Sequence, residues 1–241
     1  ISTYNITATA GEGGSITAND GNGNVANCGE NKMFTIEAND CYRIASVMVD
    51  DNVDVTDAVI AANGVYTFEN VNAAHTIAAT FAINTYAITT TVEGNGTISG
   101  ESTANCGDDK SYIVAPANTC YRLASFTVDN VDAFDDLDEN GVYAMQNITA
   151  DHTLAATFEQ IIYTITATAG ENGTITETST VNCGDNKEIT ITPANCYRIA
   201  SVLVDDVDVT ATVLAANGVY TFENVIANHN IAATFAISTY N

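Results

Sequence analysis

The side chains of this sequence best suited to chemistry are six cysteines, spaced in pairs: Cys28 and Cys41, Cys106 and Cys120, Cys183 and Cys196. Thiols serve as nucleophiles, metal ligands or disulfide partners, and spacing separates these roles. Structural zinc sites place their ligands two to four residues apart within each half-site. Here the members of a pair stand 13, 14 and 13 residues apart in a chain with three histidines, so no metal site is expected. An even count at a repeated spacing points instead to disulfides formed in an oxidising compartment. The pattern predicts one bridge per pair, Cys28 to Cys41, Cys106 to Cys120 and Cys183 to Cys196, with bonds between neighbouring chains as the alternative. Closing a loop of that length contributes about 3 kcal/mol in the chain-entropy model.

The cysteines belong to a repeat. CYRIASVMVDD at Cys41 returns as CYRLASFTVDN at Cys120 and CYRIASVLVDD at Cys196, and His75, His152 and His229, each opening a similar apolar run, are 77 residues apart. Self-similarity at such a period signals an array of small domains. The copies are expected at 1–82, 83–160 and 161–237, with 238–241 starting a further copy, because Ile237-Ser238-Thr239-Tyr240-Asn241 repeats the opening Ile1-Ser2-Thr3-Tyr4-Asn5. A longer array is therefore expected. Phe81 to Tyr86, Phe158 to Tyr163 and Phe235 to Tyr240 each span five residues without a Gly, Ser or Pro-rich linker. That predicts closely coupled copies in a linear rod.

Within the third copy, Tyr163–Ala169 alternates apolar and small polar residues, Glu171-Asn172-Gly173 turns the chain, and Thr174-Ile175-Thr176 returns as the second arm of a hairpin. Glu188–Thr192 alternates again and ends at Pro193. Tyr197–Val204 predicts the longest strand, with Ile199, Ser201 and Leu203 on one face and Arg198, Ala200, Val202 and Val204 on the other. Val219–Val225 and Ile231–Phe235 complete about six strands. Thr210 and Asn217-Gly218 bracket a short helical turn with Thr210 as its N-cap, repeated at Thr56 to Gly64. Asp132 to Gly141 retains the cap and the stop alone. The copies are thus all-β, three tandem small β-sandwich or β-grasp-like domains with one short helical turn each.

Other constellations carry weaker signals. Asp50, Asn52, Asp54 and Thr56 alternate like the oxygen ligands of a calcium loop, but Val55 stands where the turn needs Gly and Ala61 where a bidentate Glu belongs. Solvated acidic loops are expected, with weak calcium binding as the alternative; Asp135-Asp136-Leu137-Asp138-Glu139 is the densest acidic run. Each histidine is expected to make a hydrogen bond at the entry to the final strand. One Lys and one Arg recur per copy, Lys32, Lys110, Lys187 and Arg43, Arg122, Arg198, and are expected to pair with local carboxylates. No GK[ST] or GxGxxG follows a strand, so nucleotide binding has no support, and no nucleophile, base or metal set recurs. No catalytic residue and no cofactor is expected.

Tyr163-x-Ile-Thr-Ala, Gly173-Thr-Ile, Ile189-Thr-Ile-Thr-Pro193, Tyr197-Arg-Ile-Ala-Ser-Val-Leu-Val-Asp205, Tyr220-Thr-Phe-Glu-Asn-Val225 and His229-x-Ile-Ala-Ala-Thr-Phe235 together resemble the divergent internalin B-repeat. The resemblance covers all three copies and implies secreted or cell-surface bacterial proteins in which repeats act as stalk or adhesin modules. It transfers no catalytic residue. Where such repeats usually carry Gly before Tyr, this chain has Cys41, Cys120 and Cys196.

With 30 acidic and 6 basic residues the chain carries a formal charge of −24, which repels nucleic acid and anionic lipid. No apolar run is long enough to span a bilayer. The sequence therefore predicts an extracellular, disulfide-stabilised structural repeat of a bacterial fibre, stalk or filament, not an enzyme, whose partners are neighbouring repeats and identical chains. The alternative is an adhesin module recognising a glycan or a host or partner protein. A binding array needs a repeated exposed aromatic platform, yet Trp is absent and Tyr163, Tyr197, Tyr220, Phe222 and Phe235 occupy strand positions.

Overall fold

The computed structural model describes residues 2–239; Ile1 and Tyr240–Asn241, the outer ends of the two repeated pentads, lie outside the described residues. The chain is 58% strand and 6% helix, in tandem all-β domains. In the first copy the elements are β1 (Thr3–Ala10), β2 (Gly14–Ala18), β3 (Val25–Asn27), β4 (Lys32–Ala38), β5 (Tyr42–Val49), β6 (Val53–Asp54), α1 (Thr56–Ala61), β7 (Val65–Phe68) and β8 (His75–Ile83). They form a five-stranded sheet of order β3-β1-β8-β5-β6 and a three-stranded sheet of order β2-β4-β7, and both orders recur in the other two copies. Two compact units divide the chain, Ile1–Thr89 with Gly100–Tyr112 and Tyr143–Thr153, and Thr90–Ser99 with Ile113–Val142 and Leu154–Asn241. Each holds one outer copy and part of the middle one.

The two sheets of a copy enclose one apolar layer. Ile6, Val47, Val49, Ile77 and Ala79 from the larger sheet meet Phe34, Ile36 and Phe68 from the smaller, and Val59 of α1 closes the side. The third copy uses Ile165, Val202, Val204, Ile231 and Ala233 against Ile189, Ile191 and Phe222, with Val213 from its helix. Alternation along each strand supplies this layer, since only every second side chain faces inward.

Three local expectations change. The predicted hairpin at Asn172-Gly173 is a crossover between layers: Ile162–Ala169 pairs with Ser179–Asn182 and His229–Ile237, while Gly173–Ile175 pairs with Lys187–Pro193 in the other sheet. Both edges of the first strand are already occupied, so the returning segment cannot pair with it. Gly173 makes this turn possible, because a Cβ there would sit 2.2 Å from the Phe235 ring.

The strict face alternation over Tyr197–Val204 is also corrected. The register against His229–Ile237 shifts between Ile199 and Ser201, a β-bulge at Ala200. The extra residue resets the phase, so Ile199, Val202 and Val204 all face the core while Leu203 is exposed. The same shift occurs between Ile44 and Ser46 and between Leu123 and Ser125.

The helical turns exist at Thr56–Ala61 and Thr210–Ala215, with a 3-10 turn, Phe134–Asp136, in the middle copy. Thr210 is the first helical residue and not the N-cap; Val209 occupies that position without a side-chain cap. The Thr210 hydroxyl instead donates to Asp208 Oδ1 at 2.5 Å and accepts the Val202 N–H at 2.8 Å. Val202 is fully buried, and its carbonyl accepts the Val209 N–H, so its backbone groups face the edge covered by the short strand Val207–Asp208, just past the end of that two-residue ladder. Thr56 repeats the arrangement with Asp54 and the Val47 N–H. Replacing Thr210 with the isosteric Val should leave a buried donor without a partner and destabilise the third copy by about 1–2 kcal/mol. Hydrogen exchange should then show the Val202 amide exchanging roughly tenfold faster, since about 1.4 kcal/mol corresponds to a factor of ten.

Candidate functional site: the cysteine joints between copies

The geometry of the joint follows from the first and last strands of a copy running side by side in parallel, with Ile6 level with His75 and Ala10 level with Ala79. The start of β1 and the end of β8 therefore lie at opposite ends of the sheet, separated by the length of β8. At ~3.3 Å per residue its nine residues, His75–Ile83, span about 30 Å. One residue, Asn84, then connects β8 to the next copy's first strand, Thr85–Glu93.

That single residue holds two cysteines in place. The Asn84 N–H donates to the Cys41 carbonyl at 2.8 Å, and the Cys106 N–H donates to the Asn84 carbonyl at 2.8 Å. Cys41 and Cys106 are thereby brought to a Cα separation of 5.3 Å and are bonded, 65 residues apart in sequence. Ile161 does the same at the next joint: its N–H donates to the Cys120 carbonyl and its carbonyl accepts the Cys183 N–H, each at 2.9 Å. Cys120 and Cys183 are bonded with Cα atoms 5.2 Å apart and stand 63 residues apart in sequence. Gly184, with φ +87°, turns the chain beside this bond, and a Cβ there would lie 3.6 Å from Cys120 Sγ.

The expected pairing within each copy is thus overturned: Cys28 does not bond Cys41, Cys106 does not bond Cys120, and Cys183 does not bond Cys196. The physical reason is distance. Cys28 donates its N–H to the Ser2 carbonyl beside the start of β1, whereas Cys41 is held by Asn84 beyond the end of β8. About 30 Å of sheet separates them, and a disulfide spans no more than ~7 Å between Cα atoms. The sequence contained a signal for this, because a seven-residue strand, Lys32–Ala38, occupies the interval between the two cysteines. Cys28 and Cys196 are exposed free thiols.

Backbone conformation shows what the bond outweighs. Cys41 and Cys196 have φ of 69° and 67°, the left-handed region that favours glycine. An L residue there costs roughly 1–2 kcal/mol. Closing a loop of 65 residues contributes about 4 kcal/mol in the chain-entropy model, so the bridge more than offsets the strain.

The remaining recurrent side chains support the frame. Asp205 and Asp206, both at positive φ, form a two-residue hairpin between Val204 and Val207. Asp205 Oδ2 lies 2.6 Å from His229 Nδ1, and Asp205 Oδ1 accepts the Asn230 N–H at 2.8 Å. Asp50 holds His75 and the Thr76 N–H in the same way. The His75 and His229 rings also stack near Phe68 and Phe222, with centroids 4.9 and 5.0 Å apart. This is the strand-entry bond expected of the histidines, made at His75 and His229 with an aspartate from the hairpin of the same copy. Asp54 accepts from Thr56, and Asp138 accepts the Asn140 and Val142 N–H groups, so these acidic positions serve turns. Among the described residues no three His, Cys, Asp or Glu side chains converge as metal ligands.

Lys32, buried, pairs with Asp20 at 2.5 Å, and Lys110 with Glu101 at 2.6 Å. Arg122 pairs with Glu159, whereas Arg43 donates to the Ile83 carbonyl, one residue before the joint.

Two outcomes follow. Non-reducing peptide mapping should recover Cys41–Cys106 and Cys120–Cys183 linked peptides, and C41S/C106S should lower stability by about 2–4 kcal/mol in denaturant titration. The His229 hydrogen bond, followed by the Asn230 N–H, holds the Asp205 carboxyl below its ordinary value against the opposing effect of burial. A depressed carboxylate stabilises the fold fully above its unfolded value, near 3.8, and this contribution is lost as pH falls through the lower folded value. D205N should therefore be less stable than the parent near pH 6, with the difference shrinking below about pH 4.

A family profile described as the divergent InlB B-repeat domain matches residues 86–162 and 163–239. No curated protein sequence matches the chain. Among solved structures, the Bacillus anthracis TIE protein aligns over 96% of this chain and 51% of its own, at 10% identity and a TM-score of 0.45. The pilus adhesin SpaC from Lactobacillus rhamnosus GG, in its open conformation, aligns over 100% of this chain and 44% of its own, at 9% identity and a TM-score of 0.24. The chain spans about half the length of these proteins. Two consecutive profile matches cover more than half of the sequence, and the chain belongs to the divergent InlB B-repeat family.

Proposed function

We propose that this chain is a structural repeat segment of an extracellular bacterial fibre, stalk or filament, which transmits tension and turns over no substrate. The observation that carries this reading is the covalent path. From Cys28 the backbone runs through β4 to Cys41, crosses a disulfide to Cys106, runs through Lys110–Pro116 to Cys120, and crosses a second disulfide to Cys183. From there it runs through Lys187–Pro193 to Cys196. The middle copy thus contributes one strand, Lys110–Pro116, and its flanking turns to the shortest path, and the two disulfides exclude its other strands from it. A polypeptide under load lengthens by unfolding; here the segments bypassed by the bridges cannot pay out.

The other features fit this role. Disulfides persist in oxidising, extracellular settings. A charge of −24 keeps such segments soluble and disfavours nucleic acid and anionic membranes as partners. Neighbouring repeats and identical chains are the partners proposed, and no cofactor is needed for the role. The aromatic side chains that an adhesin would display are instead turned inward: Phe222 is 5% exposed, and Tyr220 packs against the core.

Pulling the oxidised chain from its ends in a single-molecule force measurement should release only the segments outside the two bridges and between them. Reductant should add two further extensions of roughly 220 Å each, at ~3.5 Å per residue, for the 65 and 63 residues enclosed. The functional test is deletion of one repeat from the parent surface protein. Shortened reach supports the structural reading; unchanged reach with lost binding to a defined ligand replaces it with the adhesin reading.

A further inference from the structure

We propose that Asn22 is a site of spontaneous deamidation, the one of the chain's six Asn-Gly pairs that the fold leaves free to react, converted through a cyclic imide to aspartate and isoaspartate. This inference rests on backbone hydrogen bonding and stands whether or not the mechanical role holds.

Asn-Gly reacts because glycine, having no Cβ, leaves its backbone nitrogen accessible and lets the chain rotate. The Gly nitrogen attacks the Asn side-chain carbonyl carbon and a new C–N bond closes a five-membered ring. The side-chain nitrogen leaves as ammonia, taking the proton that the Gly nitrogen gives up. Water then opens either carbonyl of the ring, giving aspartate or isoaspartate, and no oxidant or reductant takes part. Ring closure requires the peptide unit between Asn and Gly to swing until its nitrogen faces the side chain. A hydrogen bond from that unit's N–H, or to its carbonyl, opposes the swing.

Five of the six units are pinned in this way. Gly64, Gly141 and Gly218 donate to the Val59, Asp138 and Val213 carbonyls at 2.8, 2.9 and 2.8 Å, and the Asn95 and Asn172 carbonyls accept the Ala117 and Ala194 N–H groups at 3.1 and 2.9 Å. The last two are also hemmed in, since a Cβ on Gly96 or Gly173 would lie 2.3 or 2.2 Å from the Phe158 or Phe235 ring. The unit joining Asn22 to Gly23 makes no hydrogen bond through its carbonyl or its N–H among the described residues. A Cβ on Gly21 or Gly23 would meet nothing within 4 Å, so the loop has room to turn. The first copy also gives this connection more chain: residues 19–24 link Gly14–Ala18 to Val25–Asn27, where the other copies use residues 100–102 and 176–178.

The neighbouring Asp20-Gly21 is protected differently. Lys32 Nζ lies 2.5 Å from Asp20 Oδ1 and holds that carboxyl below its ordinary value, and an ionised carboxylate is a poor target for the Gly nitrogen. Deamidation at Asn22 adds one negative charge to the formal −24. Isoaspartate also lengthens the main chain by its methylene, next to the carboxylate that holds the buried Lys32.

The test incubates the full 241-residue chain, both bridges oxidised, in mildly alkaline isotope-labelled water and follows its peptides by mass spectrometry, with an isoaspartyl methyltransferase marking isoaspartate. Asn22 should convert at least about tenfold faster than any of the other five, a barrier difference of about 1.4 kcal/mol, within the range that one net hydrogen bond contributes. The product should be a mixture of isoaspartate and aspartate carrying solvent oxygen. N22Q should lose the fast conversion and keep both bridges. In the reduced, urea-unfolded chain the six pairs should convert at similar rates. Conversion of any of the other five as fast as Asn22 in the folded chain, aspartate without isoaspartate, or the same preference for Asn22 after unfolding would each overturn the proposal.

Discussion

The parallel pairing of the first and last strands of each copy is the constraint on which the rest of the structure depends. Antiparallel neighbours would return the chain to the end at which it entered, and the next copy would begin beside the last. With Ile6 level with His75 and Ile165 level with His229, the chain enters at one end of the sheet and leaves at the other. A one-residue connection then suffices, and that residue has both its N–H and its carbonyl committed to cysteine backbones on either side. Parallel neighbours need a long crossover. Here the crossover is the whole of the rest of the copy, from β2 through β7, and it supplies the second sheet.

This arrangement sets the value of the cysteines. A bridge closing 13 residues inside a copy would have restrained one strand and its turns. The bridges observed enclose 65 and 63 residues, so each restrains a far larger part of the unfolded ensemble and also fixes one copy to the next. The first does so at a position where the backbone favours glycine, and the strain at Cys41 is smaller than the stabilisation the bridge brings. In a copy whose apolar layer consists of about a dozen buried side chains, a contribution of about 4 kcal/mol is a large fraction of the net stability expected for a small domain.

Polar groups finish what the sheets leave open. The ladder between Tyr197–Val204 and Val207–Asp208 is only two residues long, and the Thr210 hydroxyl takes up the Val202 N–H just beyond it. The hairpin at Asp205-Asp206 needs two residues at positive φ, and the Asp205 carboxylate uses its position there to hold His229 at the entry to the last strand. The acidic residues that resemble a calcium loop in the sequence are spent on these turns. Asp50, Asp54, Asp138, Asp205 and Asp208 each accept at least one backbone N–H.

The sequence by itself determined whatever depends on neighbours in the chain. Alternating residues fixed the strands at Tyr197–Val204 and around Pro193, Asn217-Gly218 fixed the end of the short helix, and the recurrence of Cys, His and Gly fixed the period of the repeat. Only the tertiary structure decided what depends on contacts between distant segments. Whether Gly173 opens a hairpin or a crossover turns on which strands already occupy the edges of Ile162–Ala169. The inward set of Tyr197–Val204 turns on a bulge that pairing with His229–Ile237 imposes. The partners of the cysteines turn on the direction of β1 relative to β8, which leaves no mark in local periodicity because a strand has the same alternation whether its neighbour runs parallel or antiparallel.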